Sequence, residues 1–259
     1  ADGWRRDGTP AGLAGVKGAS SARRRLLAVQ GAWNYERMLG VGMGYAAAPL
    51  LQTLRERDPE RFRAATMRSA LFFNCHPYLA GLALGALARA EYDEIPSEQI
   101  IRLRAALCSP LGALGDQLFW AGLLPALLGA SLAAIALGAS WIAVVAFLVV
   151  FNAIRLYVAH WALETGLAAG MKVGAAIGAS KLPRFVAWAG PAAGVAIGLA
   201  APLVGEWLLH PFGSRAVLGT LLLAGTGITA SRLAGPRYSA PRFTLIAMGG
   251  AVLLRWILA

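Results

Sequence analysis

The chain has 259 residues, of which 58% are hydrophobic and only 14% are charged, whereas a soluble domain averages about 45–50% apolar and about 25% charged residues. This balance excludes an ordinary water-soluble domain. The net charge of +11 comes from lysines and arginines that lie between apolar segments, so it indicates loops that orient membrane helices and not a nucleic-acid interface.

The first part of the chain is predicted to lie in the cytoplasm. Residues 1–25 are rich in Gly, Ala and Arg and are predicted to be a disordered basic tail, without a cleavable signal peptide. The arginines at 23–25 then begin an amphipathic, interfacial helix. Asp58 followed by Pro59 forms an N-cap and first-turn pair, which predicts an amphipathic cytoplasmic helix over residues 59–73.

Two apolar segments look too short or too interrupted to be simple spans. Residues 77–90 form an apolar run of hairpin length. Residues 109–137 follow an amphipathic helix that begins at residues 96–97, and they are interrupted by Pro110, Gly112, Gly115 and Pro125. Broken helices at membrane depth must line protein or a cavity, because lipid cannot satisfy freed backbone groups. Both segments are therefore predicted to be re-entrant, hairpin-like helices, where transporters place their sites.

The rest of the chain is predicted to form continuous spans, with residues 161–180 as either another hairpin or a helix extension. The expected spans cover residues 139–160, 184–205, 216–233 and 242–258. The basic loops at 172–184 and 232–242 place the N-terminus in the cytoplasm and the C-terminus outside. The sequence thus predicts an all-α polytopic membrane protein with amphipathic cytoplasmic helices, broken helices and about four or more continuous transmembrane helices.

Asp116 is the clearest single candidate for a functional residue. It is the only ionisable side chain between residues 111 and 154, and an ionisable group inside an apolar segment is costly unless it faces a partner or a cavity. Two interpretations remain open. Asp116 either forms a substrate site or gate, or it makes a structural salt bridge to Arg155 or to a partner chain.

Two further patches combine polar and aromatic side chains. Trp33, Asn34 and Glu36 could bind a sugar by aromatic stacking and hydroxyl hydrogen bonds, or they could anchor the chain in the headgroup zone. Asn74 and His76 precede a proline, where a helix is expected to end. They could contact substrate hydroxyls or cap that broken helix.

Asn152 and Arg155 lie three residues apart and share one face of a predicted span. Arg155 is expected to be a structural charge partner of Asp116 or Glu164, and His160 could relay protons. The two cysteines, Cys75 and Cys108, do not form a metal-binding pattern. No metal site and no cofactor is expected.

Four strings carry a resemblance to a known family. They are QGAWNYERM at 30–38, FFNCHPY at 72–78, PLGALGDQLFW at 110–120 and FN-x-x-R at 151–155. In this order they are similar to motifs of the IID subunits of mannose–fructose–sorbose phosphotransferase permeases. The resemblance implies one IID-type membrane domain over residues 26–259, with a motif-bearing part at 26–170 and divergent spans at 171–259.

The resemblance also implies a function. A IID subunit forms, with a IIC subunit, the pathway for a mannose-type hexose, which cytoplasmic IIA and IIB (IIAB) subunits phosphorylate during uptake. The complex is expected to be a trimer of IIC–IID units in the bacterial cytoplasmic (inner) membrane, without nucleic acid. No catalytic or phosphotransfer residue is expected on this chain. The candidate substrate-binding or gating residues are Trp33, Asn34, Glu36, Asn74, His76, Asp116, Trp120 and Asn152.

Two other functions remain open at this point. The divergent C-terminal half also fits a regulatory or receptor-like subunit of the same system, which would not transport by itself. A cation- or proton-coupled carrier would rest only on Asp116, Arg155, His160 and Glu164.

Overall fold

The computed structural model describes residues 17–209 and residue 219. Within these residues the fold is all-α, with isolated β-bridges and no named strand. Residues 1–199 form one unit, and residues 200–259 form a second unit, of which the structure describes only the end of the last helix and residue 219. The described helices are α1 Ala19–Leu26, α2 Gly40–Arg57, α3 Pro59–Ser69, α4 Ala80–Tyr92, α5 Ser97–Gly115, α6 Leu124–Ala136, α7 Ile142–Ala169, α8 Val173–Ala179 and α9 Leu182–Leu209.

Three helical stretches in the described part are long and apolar enough to span a membrane, namely Ser97–Ala136, Ile142–Ala179 and Leu182–Trp207. They confirm the prediction of an all-α, multi-pass membrane protein. The predicted spans at 139–160 and 184–205 correspond to α7 and α9. Those at 216–233 and 242–258, and the predicted external C-terminus, lie outside the described residues.

Helix α1 starts earlier than the sequence predicts. It begins at Ala19, inside the segment 1–25 that was expected to be disordered. Ala22 and Leu26 are buried against the following helices, and this burial offsets the entropic cost of ordering the segment. The predicted disordered tail must therefore end before Ala19; residues 1–16 lie outside the described residues.

The predicted cap of α3 is confirmed, but the helix is shorter than predicted. Asp58 Oδ1 accepts a hydrogen bond from Arg61 N at 2.8 Å, and Pro59 occupies the first turn. The helix ends at Ser69 instead of Phe73. Beyond Ser69 the chain becomes a loop, in which the carbonyls of Leu71 and Phe72 accept hydrogen bonds from the side chain of Arg104 of α5 and so do not continue the helical ladder.

Helix α4 replaces the hairpin predicted at residues 77–90. A 3₁₀ turn, Pro77–Leu79, leads directly into this single helix, whose residues are buried from Ala80 to Ala88. Gly81 and Gly85 lie against the backbone of α7 around Leu163 and Gly166. Small residues allow such close approach of two helices, so protein and not lipid surrounds this apolar run.

The interrupted segment at 109–137 does not double back as predicted. It is helical from Ser97 to Ala136, and a π-helical segment, Asp116–Leu123, joins α5 to α6. Pro110 lies inside α5. Gly122 and Gly129 do not form turns; they face Ala189 and Ala196 of α9 at distances that leave no room for a side chain. The expected break is therefore a π-helical insertion.

Candidate functional site

The loop between α3 and α4, residues 70–79, lies at the centre of the candidate site, and we call it the central loop. Its backbone pairs with the first of the four strings. Leu39 N donates to Phe73 O at 2.8 Å, and Phe73 N donates to Arg37 O at 3.2 Å. Met38 takes a positive φ of 51° to make this pairing possible. The first and second strings are thus joined through main-chain atoms.

Arg104 of α5 holds the central loop from the other side. Its Nε donates to Phe72 O at 3.1 Å, and its Nη2 donates to Ser69 O at 3.0 Å and also to Leu71 O. Its guanidinium lies 5.0 Å from the centroid of the Phe73 ring. Only 4% of Arg104 is exposed. Since the described residues give it no carboxylate partner, backbone carbonyls balance its buried charge.

His76, Tyr78, Phe119 and Trp120 form what we call the aromatic cluster. The His76 ring stacks on Phe119 with centroids 5.0 Å apart and lies 5.2 Å from Trp120. Tyr78 meets Phe119 edge-on at 4.8 Å. The π-helical segment supplies Phe119 and Trp120. Gly115, just before it, lies so close to His76 that any side chain there would overlap the imidazole.

His76 carries a buried polar atom without a partner in the described residues. Its Nδ1 accepts a hydrogen bond from Tyr78 N at 3.3 Å, whereas its Nε2 has none. Burial lowers the pKa of His76 to about 4, although the nearby Asp116 carboxylate acts in the opposite direction. The imidazole is therefore neutral at neutral pH. Because Nδ1 accepts, Nε2 holds the proton and is a free donor.

The aromatic cluster is open at the side of the π-helical segment. Asp116 is exposed at the start of that segment, Trp120 is 47% exposed, and Asn74 is exposed on the central loop. An aromatic face, a carboxylate and a carboxamide thus lie on one part of the molecule. Together they suit a neutral, polyhydroxylated ligand, because ring faces contact C–H groups while the oxygens accept from hydroxyls.

The charge pairing expected for Arg155 is different in the structure. Within the described residues, no ion pair joins Arg155 to Asp116 or Glu164. Instead, Arg155 Nη1 donates to the Tyr78 hydroxyl at 3.4 Å, with its guanidinium 5.4 Å from the Tyr78 ring. Glu164 pairs with Arg23 of α1 at 3.0 Å. Arg155 therefore belongs to the surroundings of the aromatic cluster.

The fourth string reaches the same place through α7. The Phe151 ring lies 6.5 Å from Tyr78, and Arg155, one turn later, contacts the Tyr78 hydroxyl. Asn152 lies between them, and its Nδ2 donates to Leu148 O within the helix at 2.7 Å. All four strings thus meet around the central loop.

The first string contributes its backbone to this meeting point more than its side chains. Asn34 Oδ1 accepts from Arg37 N at 2.9 Å, and its Nδ2 donates to Ala32 O at 3.2 Å, so both ends of the amide stabilise the local turn. Trp33 and Glu36 are exposed on that turn. In the part of the chain that the structure describes, none of the three makes a hydrogen bond or a ring contact with the aromatic cluster.

Three residues of the site were not singled out from the sequence, namely Tyr78, Phe119 and Arg104. Arg104 had a usable signal. It falls among Ile100, Leu103 and Leu107 at helical spacing, so it lies on the apolar side of α5, where a charge needs partners. Tyr78 and Phe119 are parts of the recognised strings but carry no spacing signal of their own. In the described residues, no group of three or more His, Cys, Asp or Glu side chains could hold a metal ion.

Comparison with known proteins identifies the family. The family model for the "PTS system mannose/fructose/sorbose family IID component" matches residues 17–201. The mannose-specific EIID component of Escherichia coli K12 is 31% identical over 151 residues, which are 56% of this chain and 52% of that protein. The sorbose-specific EIID component of Klebsiella pneumoniae is 32% identical over 163 residues, 60% of this chain and 58% of that protein.

Solved structures show the same fold. A chain described only as a membrane protein aligns with a TM-score of 0.61 and 27% identity, covering 70% of this chain and 67% of that one. A chain of the cryo-EM structure of the mannose transporter ManYZ with microcin E492 aligns with a TM-score of 0.54 and 22% identity, covering 93% of this chain and 96% of that one. At this identity the second likeness concerns the fold alone.

The family match and the matches to single relatives cover different shares of the sequences. The chain spans about half the length of the curated relatives that it matches, whereas the family match covers most of the chain and includes all four strings. The described structure agrees with that match, since three of its helical stretches could cross a membrane. The chain therefore belongs to the IID component family of the mannose/fructose/sorbose phosphotransferase systems, as a multi-pass membrane protein.

Proposed function

We propose that this chain forms, together with a IIC subunit, the membrane pathway for a mannose-type hexose that IIA and IIB subunits phosphorylate during uptake. The proposal rests on the family, whose relatives are named for mannose and sorbose, and on the chemistry of the aromatic cluster. Phosphorylation would trap the sugar inside, because a charged sugar phosphate does not recross the hydrocarbon core. The phosphoryl-carrying residues would belong to the partner subunits.

The observation that carries the proposal is the meeting of the four strings at the central loop. Trp120 and Asp116 are exposed beside the aromatic cluster. The Nε2 donor of His76 is buried and has no partner in the described residues. A buried donor that lacks a partner is costly, so a ligand hydroxyl would relieve that cost. We propose Asp116, Trp120, His76 and Asn74 as the residues that contact the sugar.

The membrane arrangement follows from charge. The basic segment at 172–184 would face the cytoplasm, together with α1 and the N-terminus, and the membrane would be the bacterial inner membrane. The exposed apolar faces of α6 and α7 would contact lipid or the IIC subunit. A trimer of IIC–IID units is the assembly that we propose.

The test is sugar uptake in a strain whose only route for the hexose is this system. Asp116→Asn should reduce uptake and sugar phosphorylation by roughly tenfold or more, the loss expected for one charge-assisted hydrogen bond of about 1.5–3 kcal/mol. Glu98→Gln is the matched control, because Glu98 is an exposed carboxylate on α5 away from the aromatic cluster. Its uptake should be unchanged.

The same experiment distinguishes a regulatory subunit from a transporting one. If both variants transport like the parent while the chain still co-purifies with IIC, the site does not bind the transported sugar. The divergent segment after residue 201, beyond the family match, would then be the place to look for a receptor-like role.

A further inference from the structure

Arg155 lies in a membrane-spanning helix, and the described part of the chain gives it no counter-charge. No carboxylate among the described residues forms an ion pair with it, and its one recorded hydrogen bond, to the Tyr78 hydroxyl, is long at 3.4 Å. A guanidinium has five N–H donors, and an arginine in a membrane segment almost always faces a partner or a polar cavity. The pairing of Glu164 with Arg23 removes the nearest carboxylate on the same helix.

The position of Arg155 along α7 corresponds to one edge of the hydrocarbon layer. Trp141 precedes α7 and is 72% exposed, and Tyr157 within it is 70% exposed. Exposed Trp and Tyr side chains mark the two membrane–water interfaces. Tyr157 follows Trp141 by sixteen positions, which correspond to about 24 Å at 1.5 Å per residue, close to the ~30 Å of a bilayer core. Arg155 is two residues from Tyr157 and therefore lies at headgroup depth.

A pocket of about 80 Å³ opens beside Arg155. Its polar lining comes from Gln30, Tyr78 and Arg155. Gln30 and Tyr78 are neutral side chains that can donate hydrogen bonds, and Arg155 carries a positive charge. Its apolar rim includes Leu27, 61% exposed, and Leu156, 47% exposed. The pocket thus has a cationic, hydrogen-bonding interior and an apolar rim at the depth of the membrane interface.

We propose that this pocket binds the phosphate group of an anionic phospholipid. Arg155 would donate two hydrogen bonds to the phosphate oxygens, as guanidinium groups commonly do, while Tyr78 and Gln30 would supply further donors. The acyl chains would lie against Leu27 and Leu156. Basic pockets between membrane helices on the cytoplasmic side bind lipid headgroups in this manner. The pocket shares Tyr78 with the aromatic cluster, but the lipid proposal does not rest on the proposed sugar transport, because lipid binding needs neither sugar nor phosphoryl donor.

The binding can be measured on the full-length chain in nanodiscs of phosphatidylcholine, with or without phosphatidylglycerol. Native mass spectrometry would count the phosphatidylglycerol that stays bound after release from the nanodisc. Arg155→Gln should weaken retention about tenfold or more, because glutamine can replace at most one of the two charge-assisted hydrogen bonds. Arg24→Gln is the matched control, since Arg24 is exposed on α1 at the same interface. It should retain the lipid like the parent.

A second pair of variants avoids removing a charge from the spanning helix. Gln30→Glu places a carboxylate in the pocket, where it should occupy Arg155 and expel the phosphate with a similar loss. Gln52→Glu makes the same change at an exposed position of α2 and should have no effect. Equal retention by Gln30→Glu and Gln52→Glu would overturn the proposal, as would equal retention by Arg155→Gln and Arg24→Gln.

A third arm separates a lipid from a soluble phosphate. In nanodiscs that contain phosphatidylglycerol, inorganic phosphate at millimolar concentration should not displace the bound lipid, because the acyl chains add apolar contacts. Displacement by inorganic phosphate, without any preference for phosphatidylglycerol over phosphatidylcholine, would overturn the lipid proposal and assign the pocket to a soluble phosphate.

Discussion

Arg25 supplies the hydrogen-bond donor that Pro49 lacks. A proline inside a helix has no N–H for the carbonyl four residues earlier, and for Pro49 that carbonyl belongs to Tyr45. Arg25 Nη1 donates to Tyr45 O at 3.0 Å, and its guanidinium lies 4.6 Å from the Tyr45 ring centroid. Through this contact, the helix interruption at Pro49 attaches the last turn of α1 to α2.

This relationship predicts a coupling between Arg25 and Pro49. Arg25→Gln should lower the unfolding free energy by about 1 kcal/mol, because the Tyr45 carbonyl loses its donor. In a Pro49→Ala background the alanine N–H bonds to that carbonyl, so the same change should cost much less. Thermal unfolding of the two single variants and the double variant in detergent measures the coupling. Additive effects would contradict the relationship.

Gly115 is predicted to be intolerant of even the smallest side chain. A Cβ there would overlap the imidazole of His76, so Gly115→Ala should displace His76 from Phe119 and cost about 1–3 kcal/mol of stability. It should also reduce uptake. Gly112→Ala is the control on the same helix, since its nearest neighbour would be Cys75 Cα at 3.9 Å. Similar unfolding midpoints for the two variants would refute the prediction.

Arg104 is predicted to determine the conformation of the central loop. Arg104→Met should destabilise the chain by about 3 kcal/mol, because buried carbonyls lose their charged donor. Arg104→Lys should recover only part of this loss, because an ammonium cannot reproduce the planar fork of donors. Arg102→Gln is the control, since Arg102 is exposed two residues away. Limited proteolysis near residue 72 and thermal unfolding would report the change; the proposal fails if Arg102→Gln is equally damaging.

His76 is predicted to make stability depend on pH below about 6.5. The unfolded chain binds a proton on this imidazole near its ordinary pKa of about 6.5, whereas the folded chain resists protonation down to about pH 4. Between these values the unfolded state binds more protons, so the unfolding free energy falls as the pH falls, by up to about 1.4 kcal/mol per unit. Above pH 6.5 this contribution is constant.

The measurement for this prediction compares the parent and His76→Gln between pH 4 and pH 8. The parent should lose stability in acid more steeply than the variant, and the difference between the two should level off above about pH 6.5. Parallel pH profiles would show that His76 is not the group responsible.

Local signals in the sequence predicted local structure well. The pair of Asp58 and Pro59 gave the start of α3, and the low charge of residues 139–160 gave most of α7. Both depend on residues that are neighbours along the chain. The sequence also led to the correct family, because its four strings are specific when they occur together.

The hairpins predicted at 77–90 and 109–137 were wrong for a physical reason. An apolar run without periodicity cannot show whether lipid or protein surrounds it. Helix α4 is covered by protein because Gly81 and Gly85 pack against α7 near Gly166. Gly166 lies about eighty residues further along the chain. At 109–137 Pro110 and Pro125 are accommodated within the helices. Gly122 and Gly129 mark close contacts with α9 and not turns.

The assembly of the site could not be predicted for the same reason. The sequence suggested Asp116 and His76 separately, but only the fold brings the π-helical segment against the central loop. The contacts that do this are the stacking of His76 on Phe119 and the close approach of Gly115 to His76. Neither leaves a pattern within one segment of sequence.

The enclosure of α4 has a consequence for how the chain is made. This helix has thirteen residues and is only about 20 Å long, and it is buried from Ala80 to Ala88. Helix α7, which buries much of α4, begins about sixty residues after the start of α4. During translation α4 therefore emerges before the surface that it will occupy exists, and its docking between α2 and α7 must be a late event that follows insertion of the spanning helices.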